Sequence, residues 1–336
     1  MQAVKKAAAL PAGADDDLRA TVAQILADVK NGGENALLDY ERRFDNVCME
    51  TVLVPKQART TALAALKTAE PATVEALYCA AARIEEFALK QKECLLPLHY
   101  ESSVPGLELG HRLAPVQRCG CYVPAGRHPL PSSALMSVVT AKAAGVPYVA
   151  ACSPPAAGFG GIHPAVLAAL EIAGADEVFC MGGAQAIAAF AYGAGAVSPV
   201  DLIVGPGSRY VTEAKRQVLG SVGIDALAGP SEVLIIADKT ARADFIACDL
   251  LAQAEHDPAS KAVLTATDDA LINNVIQEIA RRLKNSPADD TTARAWEQNG
   301  EIYRAETLDE AAAFANAMSP EHLELLVSPQ HEAQTI

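Results

Sequence analysis

The sequence predicts an α/β protein of two lobes built on parallel sheets, with a helical stretch leading into them. Three observations carry that expectation. From about residue 122, short apolar runs of strand length alternate with helix-length segments. Glycine or proline punctuates most of the junctions between them. And 336 residues exceed one typical domain of ~100–200. Strands separated by helices of this length form parallel βαβ units, which place ligands at the carboxyl ends of their strands.

The elements follow in order. Leu18, Val22, Ile25, Leu26 and Val29 recur at helical spacing after Asp15–Asp17, and Gly32-Gly33 stops the run. Val74, Leu77, Tyr78, Ala81, Ile84 and Phe87 repeat the pattern after Pro71. Residues 148–152 read as a buried strand and 164–173 as a helix closed by Gly174. Strand 178–181 ends at Gly182-Gly183 before helix 184–191; strand 202–204 runs into Gly205-Pro206-Gly207 before helix 210–219. Strand 233–237, helix 245–255, strand 263–267 and helix 271–283 continue the alternation, and helix 308–318 leads to strand 323–327. Ser328-Pro329 is a good helix start, and the sequence ends about two turns later with no capping residue, which suggests a reading frame that continues.

Composition removes several classes of function. Half the chain is apolar (51%) and a fifth charged (20%), as in a globular protein with a sizeable core. A formal charge of -14 leaves no basic surface to neutralise phosphates, which argues against nucleic-acid binding. No run reaches the ~18 uninterrupted apolar residues of a membrane helix. The apolar stretch between Lys6 and Pro11 is too short for a signal peptide, so a cytoplasmic protein is expected. Cys48, Cys79, Cys94, Cys119, Cys121, Cys152, Cys180 and Cys248 include no C-x-x-C pair and read as reduced thiols.

Three constellations can carry chemistry. Gln253 and His256 stand three residues apart on a helix and share a face, where an amide oxygen and an imidazole could ligate zinc. A plain helix C-terminus with His256 against the dipole is the competing reading. Glu321 and His322 are adjacent at a helix–strand junction; an imidazole can take an alcohol proton at neutral pH and a carboxylate can activate water. A surface turn is the alternative there. Gly205-Pro206-Gly207 and Gly182-Gly183 open helices after strands, where backbone N–H groups hold anions, or are tight turns without a ligand. Ser231 precedes a buried strand, as a substrate contact or a turn residue. No G-x-G-x-x-G fingerprint occurs.

Taken together the segments resemble the histidinol dehydrogenase family. The match runs through GCYVPAG (120–126), SSALM (132–136), GGAQAIAA (182–189), GPGSRYV (205–211), AKRQV (214–218), IDALAGPSEVLIIAD (224–238), DLLAQAEHD (249–257) and SPEHLEL (319–325). The resemblance implies oxidation of L-histidinol through the aldehyde to L-histidine, the closing steps of histidine biosynthesis, with two NAD and one zinc, by a homodimer. It also implies two incomplete Rossmann-like lobes, in keeping with the missing fingerprint. Carried over by position, Gln253 and His256 are zinc ligands that also meet the substrate. His322 is the general base and a substrate contact, Glu321 activates water, and Ser231 touches the substrate. Tyr122, Gln185 and Ser208 are NAD contacts. The expected division is an arm (1–15), a discontinuous zinc-bearing lobe (16–121 with 232–336) and an NAD-binding lobe (122–231).

The sequence departs from the family pattern in three places. Ser208 stands where the family has Asn. The turn Ala125-Gly126-Arg127-His128-Pro129 is basic, like a branch acting on other alcohols, sulfonated diols among them, where Arg127 would pair with an anion. And the family's remaining Asp and His zinc ligands belong to a segment of on the order of a hundred residues after position 336, without which two ligands do not close a tetrahedral site. An enzyme on another polar alcohol, and a fragment without catalysis, therefore stand beside the histidinol reading.

Overall fold

The computed structural model describes residues 1–7, 14–124, 129–227, 231–284 and 291–329, with the side chains of 14 and 15 excepted. The chain forms two compact units, Met1–Ala12 with Gly229–Ile336, and Gly13–Ala228. The first unit opens with strand β1 (Gln2–Lys5) and takes up the chain again after the second is complete.

The continuous unit begins with three helices, α1 (Ala14–Phe44), α2 (Lys56–Ala69) and α3 (Pro71–Glu93). Gly33, at φ 58 and ψ -136, breaks α1 where the sequence expects a stop, but a second helical arm follows at once. A two-stranded antiparallel ribbon, β2 (Leu98–Glu101) with β3 (Glu108–His111), leads to the sheet. The sheet strands are β4 (Arg118–Tyr122), β5 (Tyr148–Ser153), β6 (Glu177–Cys180), β7 (Leu202–Val204) and β8 (Gly223–Ile224). They alternate with α4 (Pro131–Ala144), α5 (Pro164–Ala173), α6 (Gly183–Tyr192) and α7 (Arg209–Val218). Every pairing is parallel and the order is β6-β5-β4-β7-β8. Counted in chain order this is 3-2-1-4-5, the Rossmann sequence of strands.

Alternate residues of the strands serve two cores. Cys119, Cys121, Val149 and Ala151 pack under α4 and α5, while Tyr122, Cys152 and Ile203 pack under α6 and α7. The helical stretch completes these layers. Val22, Ile25, Val29 and Leu37 of α1 join Ile187 and Phe190 of α6 in one cluster. α2 lies on α5 and α3 on α4. Arg59, almost wholly buried, pins α2 by donating to the carbonyl of Ala175 at 2.7 Å. Residues 16–121 thus pack with 122–228 and not, as the sequence reading expected, with 232–336. Their apolar stripes have their complement on α4, α5 and α6.

In the other unit β9 (Glu232–Ala237), α8 (Ala243–Glu255), β10 (Lys261–Ala266), α9 (Asp269–Leu283), α10 (Thr291–Asn299), β11 (Gly300–Arg304), α11 (Leu308–Met318) and β12 (His322–Leu326) follow in turn. The sheet order is β1-β11-β10-β9-β12. Its four later strands are parallel in the order 3-2-1-4, and β1 closes the edge antiparallel to β11. Residues 2–5, expected as part of an arm, are therefore a sheet strand. Val233, Ile235 and Ala237 pack against α8, and Leu234 and Ile236 against α11. No helix among the described residues is long and apolar enough to cross a membrane. All eight cysteines are unpaired; Cys119, Cys121, Cys152 and Cys180 are buried.

Candidate active-site residues

Tyr122, Gln185 and Ser208 all stand at the carboxyl edge of the continuous unit's sheet. Tyr122 ends β4, Gln185 lies in the first turn of α6 just after β6, and Ser208 is the N-cap of α7 after β7. Chain connections leave β4 and β7 in opposite directions, so a crevice opens between their ends. Tyr122 is buried, and burial holds its phenol well above the usual tyrosine range, so it keeps its proton. Its oxygen accepts the N–H of Gly183 at 3.2 Å. Ser208 makes no capping bond with its hydroxyl, which leaves the N-terminus of α7 open to an anion.

The Gly205 turn is held from two sides. Its N–H donates to Asp225 Oδ2 at 2.7 Å, and its carbonyl accepts from Lys215 Nζ at 2.9 Å. Lys215 and Asp225 are themselves paired. Gly205 sits at φ 114, and a Cβ there would overlap the carbonyl oxygen of Tyr122. Only glycine lets the two strand ends approach so closely. A cleft of about 530 Å³ runs along the α4 side of β4 and β7, where Ser133 and Ser137 face Val204, Gly205 and Pro206. Such an apolar wall with a few hydroxyls suits one ring of a cofactor. Arg127 and His128 lie outside the described residues.

Gln185 carries a feature the sequence did not disclose. Its side chain is only 1% exposed, and Nε2 donates to Glu41 Oε1 at 3.0 Å while Oε1 has no partner. Glu41, on the last turn of α1, also accepts the Gly182 N–H at 3.1 Å. Burial pushes its carboxyl up to about 8, against the pull of those two bonds. The available signal was positional: Glu41 follows Leu37 by four residues on the apolar stripe of α1.

The other expected residues belong to the discontinuous unit and gather at the amino edge of its sheet. Ser231 precedes β9, and its carbonyl accepts from the Lys261 N–H at 3.2 Å. Gln253 is in the last turn of α8, and His256 caps that helix at φ -62 and ψ -45, so the three-residue spacing stays helical. His322 begins β12 beside Val233, on the face of the sheet that α8 covers. Glu321 precedes it, with Oε1 3.7 Å from His322 Nε2. Ser319, at φ 51, makes the left-handed turn from α11 into this segment, a strained setting for serine.

The carboxyl edge of this sheet is closed instead. Asp238 Oδ2 accepts the Ser328 N–H at 2.9 Å and Oδ1 accepts the Thr240 N–H at 2.8 Å. The expectation of ligands at carboxyl ends therefore fits the first sheet's candidates and not the second's. The second set comes from the return ends of crossovers, where α8 and the turn after α11 come back to start a strand. Near His322 the field is negative: burial holds Glu324 above its usual value, the Asp249 charge adds to this, and His322 opposes it.

Gln253 and His256 are the side chains that could offer donors to a divalent cation here. Gln253 Nε2 is buried without a partner. The carboxamide reversed about its last bond presents an oxygen at that point, three residues from an exposed imidazole at His256. Among the described residues no group of three or more His, Cys, Asp or Glu side chains is arranged to hold a metal. The donors fit half of a zinc site.

Two lobes with Rossmann strand order, one with an open switch point and the other with an acid–imidazole pair, define a dehydrogenase-like α/β protein. The histidinol dehydrogenase family profile matches residues 10–336. Histidinol dehydrogenase of Caulobacter vibrioides is 46% identical over 313 residues, which is 93% of this chain and 71% of that protein. The enzyme of Rhizobium meliloti is 45% identical over 315 residues, covering 92% and 70%. The crystal structure of histidinol dehydrogenase from Elizabethkingia anophelis superposes with a TM-score of 0.88 at 32% identity, over 98% of this chain and 74% of that one. The chain belongs to the histidinol dehydrogenase family, a family of NAD-dependent dehydrogenases.

Proposed function

We propose that this protein oxidises L-histidinol through L-histidinal to L-histidine with two equivalents of NAD, as a cytoplasmic homodimer. The observation that carries the reading is the Glu321–His322 pair on the α8-covered edge of the sheet whose α8 bears Gln253 and His256. In this reading Ser231, Gln253, His256, Glu321 and His322 act on the alcohol, and Tyr122, Gln185 and Ser208 hold NAD.

In the first oxidation His322 accepts the hydroxyl proton as the carbinol C–H leaves as hydride. The imidazolium so formed has the Glu321 carboxylate beside Nε2 to stabilise it. In the second, Glu321 takes a proton from water as the water oxygen bonds to the aldehyde carbon, and the hydrate loses the second hydride. When bound, zinc polarises the substrate oxygen and NAD takes each hydride. Gln253 and His256 would hold the zinc, and Ser231 would orient the alcohol. Asp249 and Glu324 give this edge a negative field, which suits the cationic amine of histidinol better than a sulfonate.

Steady-state rates on L-histidinol and on a sulfonated diol, with zinc and NAD supplied, test the assignment. Turnover of histidinol with two NADH per histidine supports it. Turnover of the sulfonated diol alone would transfer the protein to the other branch of the family. Absence of any turnover, with zinc bound, would leave a non-catalytic protein.

A further inference from the structure

We propose that Glu41, in its neutral acid form, is the positioning residue that sets Gln185 to present an acceptor oxygen to NAD. The proposal rests on Gln185 being a cofactor contact and adds the residue that fixes how that contact is made.

The geometry leaves Gln185 little choice. Glu41 Oε1 accepts one hydrogen bond from the Gly182 N–H at 3.1 Å and one from Gln185 Nε2 at 3.0 Å. An acceptor at that point forces the amide nitrogen of Gln185 toward α1 and its oxygen away. That oxygen is buried and unpartnered, and a buried carbonyl oxygen without a donor is unfavourable. A ligand donor relieves the cost: a ribose hydroxyl or the carboxamide NH2 of nicotinamide. Glu41 thus selects for a donor on the cofactor and against an acceptor.

The second oxygen of Glu41 specifies its protonation state. Oε2 is buried with no donor in reach. Asp45, one helical turn on, carries the carboxyl that interacts with it. Two carboxylates cannot satisfy each other, but one proton between them satisfies both. Among the described residues, Tyr122 from β4, Cys152 from β5 and Cys180 from β6 also bear on Glu41, and all three are neutral acids. No cation among them would favour the ionised form. As a neutral acid Glu41 accepts through Oε1 and donates through Oε2, which a glutamine can imitate and a leucine cannot.

Calorimetric titration of the chain with NAD, without zinc or alcohol, reads the effect directly. Glu41→Gln is expected to bind NAD within about twofold of wild type, and Glu41→Leu and Gln185→Ala each about tenfold more weakly. The Glu41→Leu/Gln185→Ala double variant should bind no more weakly than Gln185→Ala alone, because Glu41 acts through Gln185. A merely structural role would not produce that non-additivity. Additive losses, or a Glu41→Gln as impaired as Glu41→Leu, would overturn the proposal. If Glu41→Leu does not fold, Glu41→Gln and Glu41→Gln/Gln185→Ala carry the same comparison. They must match wild type and Gln185→Ala respectively. If Gln185→Ala binds NAD as wild type does, the cofactor reading of Gln185 fails instead; if Gln185→Ala weakens binding and Glu41→Leu does not, only the role of Glu41 fails.

Discussion

Lys215 and Asp225 hold opposite ends of the same residue: the ammonium donates to the Gly205 carbonyl and the carboxylate accepts the Gly205 N–H. The pair bridges α7 and the segment after β8, so the turn between β7 and α7 is tied to the elements that follow it. Replacing Lys215 with Met keeps the length of the side chain and removes both interactions. The expected loss is about 3 kcal/mol, the low end for a broken buried pair, because the Asp225 side chain remains 35% exposed. The urea midpoint of Lys215→Met against wild type measures it. An unchanged midpoint would mean the clamp contributes nothing to stability.

Gly205→Ala probes the same turn from the backbone. The methyl group cannot coexist with the Tyr122 carbonyl, and φ 114 is foreign to alanine. The strand ends must part, and NAD affinity is expected to fall at least tenfold while far-ultraviolet circular dichroism keeps its native shape. Wild-type affinity in this variant would place the cofactor elsewhere.

Glu41 makes stability depend on pH with a definite sign. Its folded-state value, about 8, lies above the ordinary glutamate value of 4.5, so between these values the folded chain holds a proton that the unfolded chain has lost. Its contribution is complete below pH 4.5 and is lost progressively as pH rises toward 8. Glu41→Gln cannot ionise and should flatten this part of the profile. Melting temperatures of both proteins between pH 5 and 8.5, at ~0.5-unit steps, report it. The variant should gain on wild type as pH rises; parallel curves would show that Glu41 titrates normally.

His322→Asn and Glu321→Gln should separate the two oxidations. Loss of the imidazole is expected to lower histidinol turnover by about 10²–10⁴-fold with zinc content unchanged. Loss of the carboxylate should spare the alcohol step to within about tenfold and fall on oxidation of supplied aldehyde, since the amide cannot take a proton from water. Zinc loss in His322→Asn would make that residue a ligand, and equal losses on both substrates would deny Glu321 a separate role.

How far the sequence disclosed this arrangement depends on the range of the interaction. β5, β6, β7 and β9 are short apolar runs with glycine or helix signals close by, and the periodic helices α3, α8 and α9 carry their pattern locally. The strand β1 has four residues with alternating half-exposure and a partner about three hundred positions away, so no window of sequence reveals it. The grouping of α1 to α3 with β4 to β8 likewise depends on which surfaces match, which periodicity does not encode. Gln253, His256, Glu321 and His322 were legible as motifs; their place at the amino edge was not, because it follows from how the crossovers return. Glu41 had no motif at all. Only its position on an apolar stripe marked it, and a single charged residue there is easily taken for the stripe's margin.

The pairing of β1 with β11 has a consequence for synthesis. At roughly 5–20 residues per second, about 15–60 s pass between the emergence of the first strand and that of its partner. The whole continuous unit leaves the ribosome in that interval and can complete its own sheet. β1 waits meanwhile as an unpaired, β-prone tether whose docking must come after β9, β10 and β11 have assembled. Gln2–Lys5 are therefore made before every other strand of their sheet and find their place only once β11 has formed.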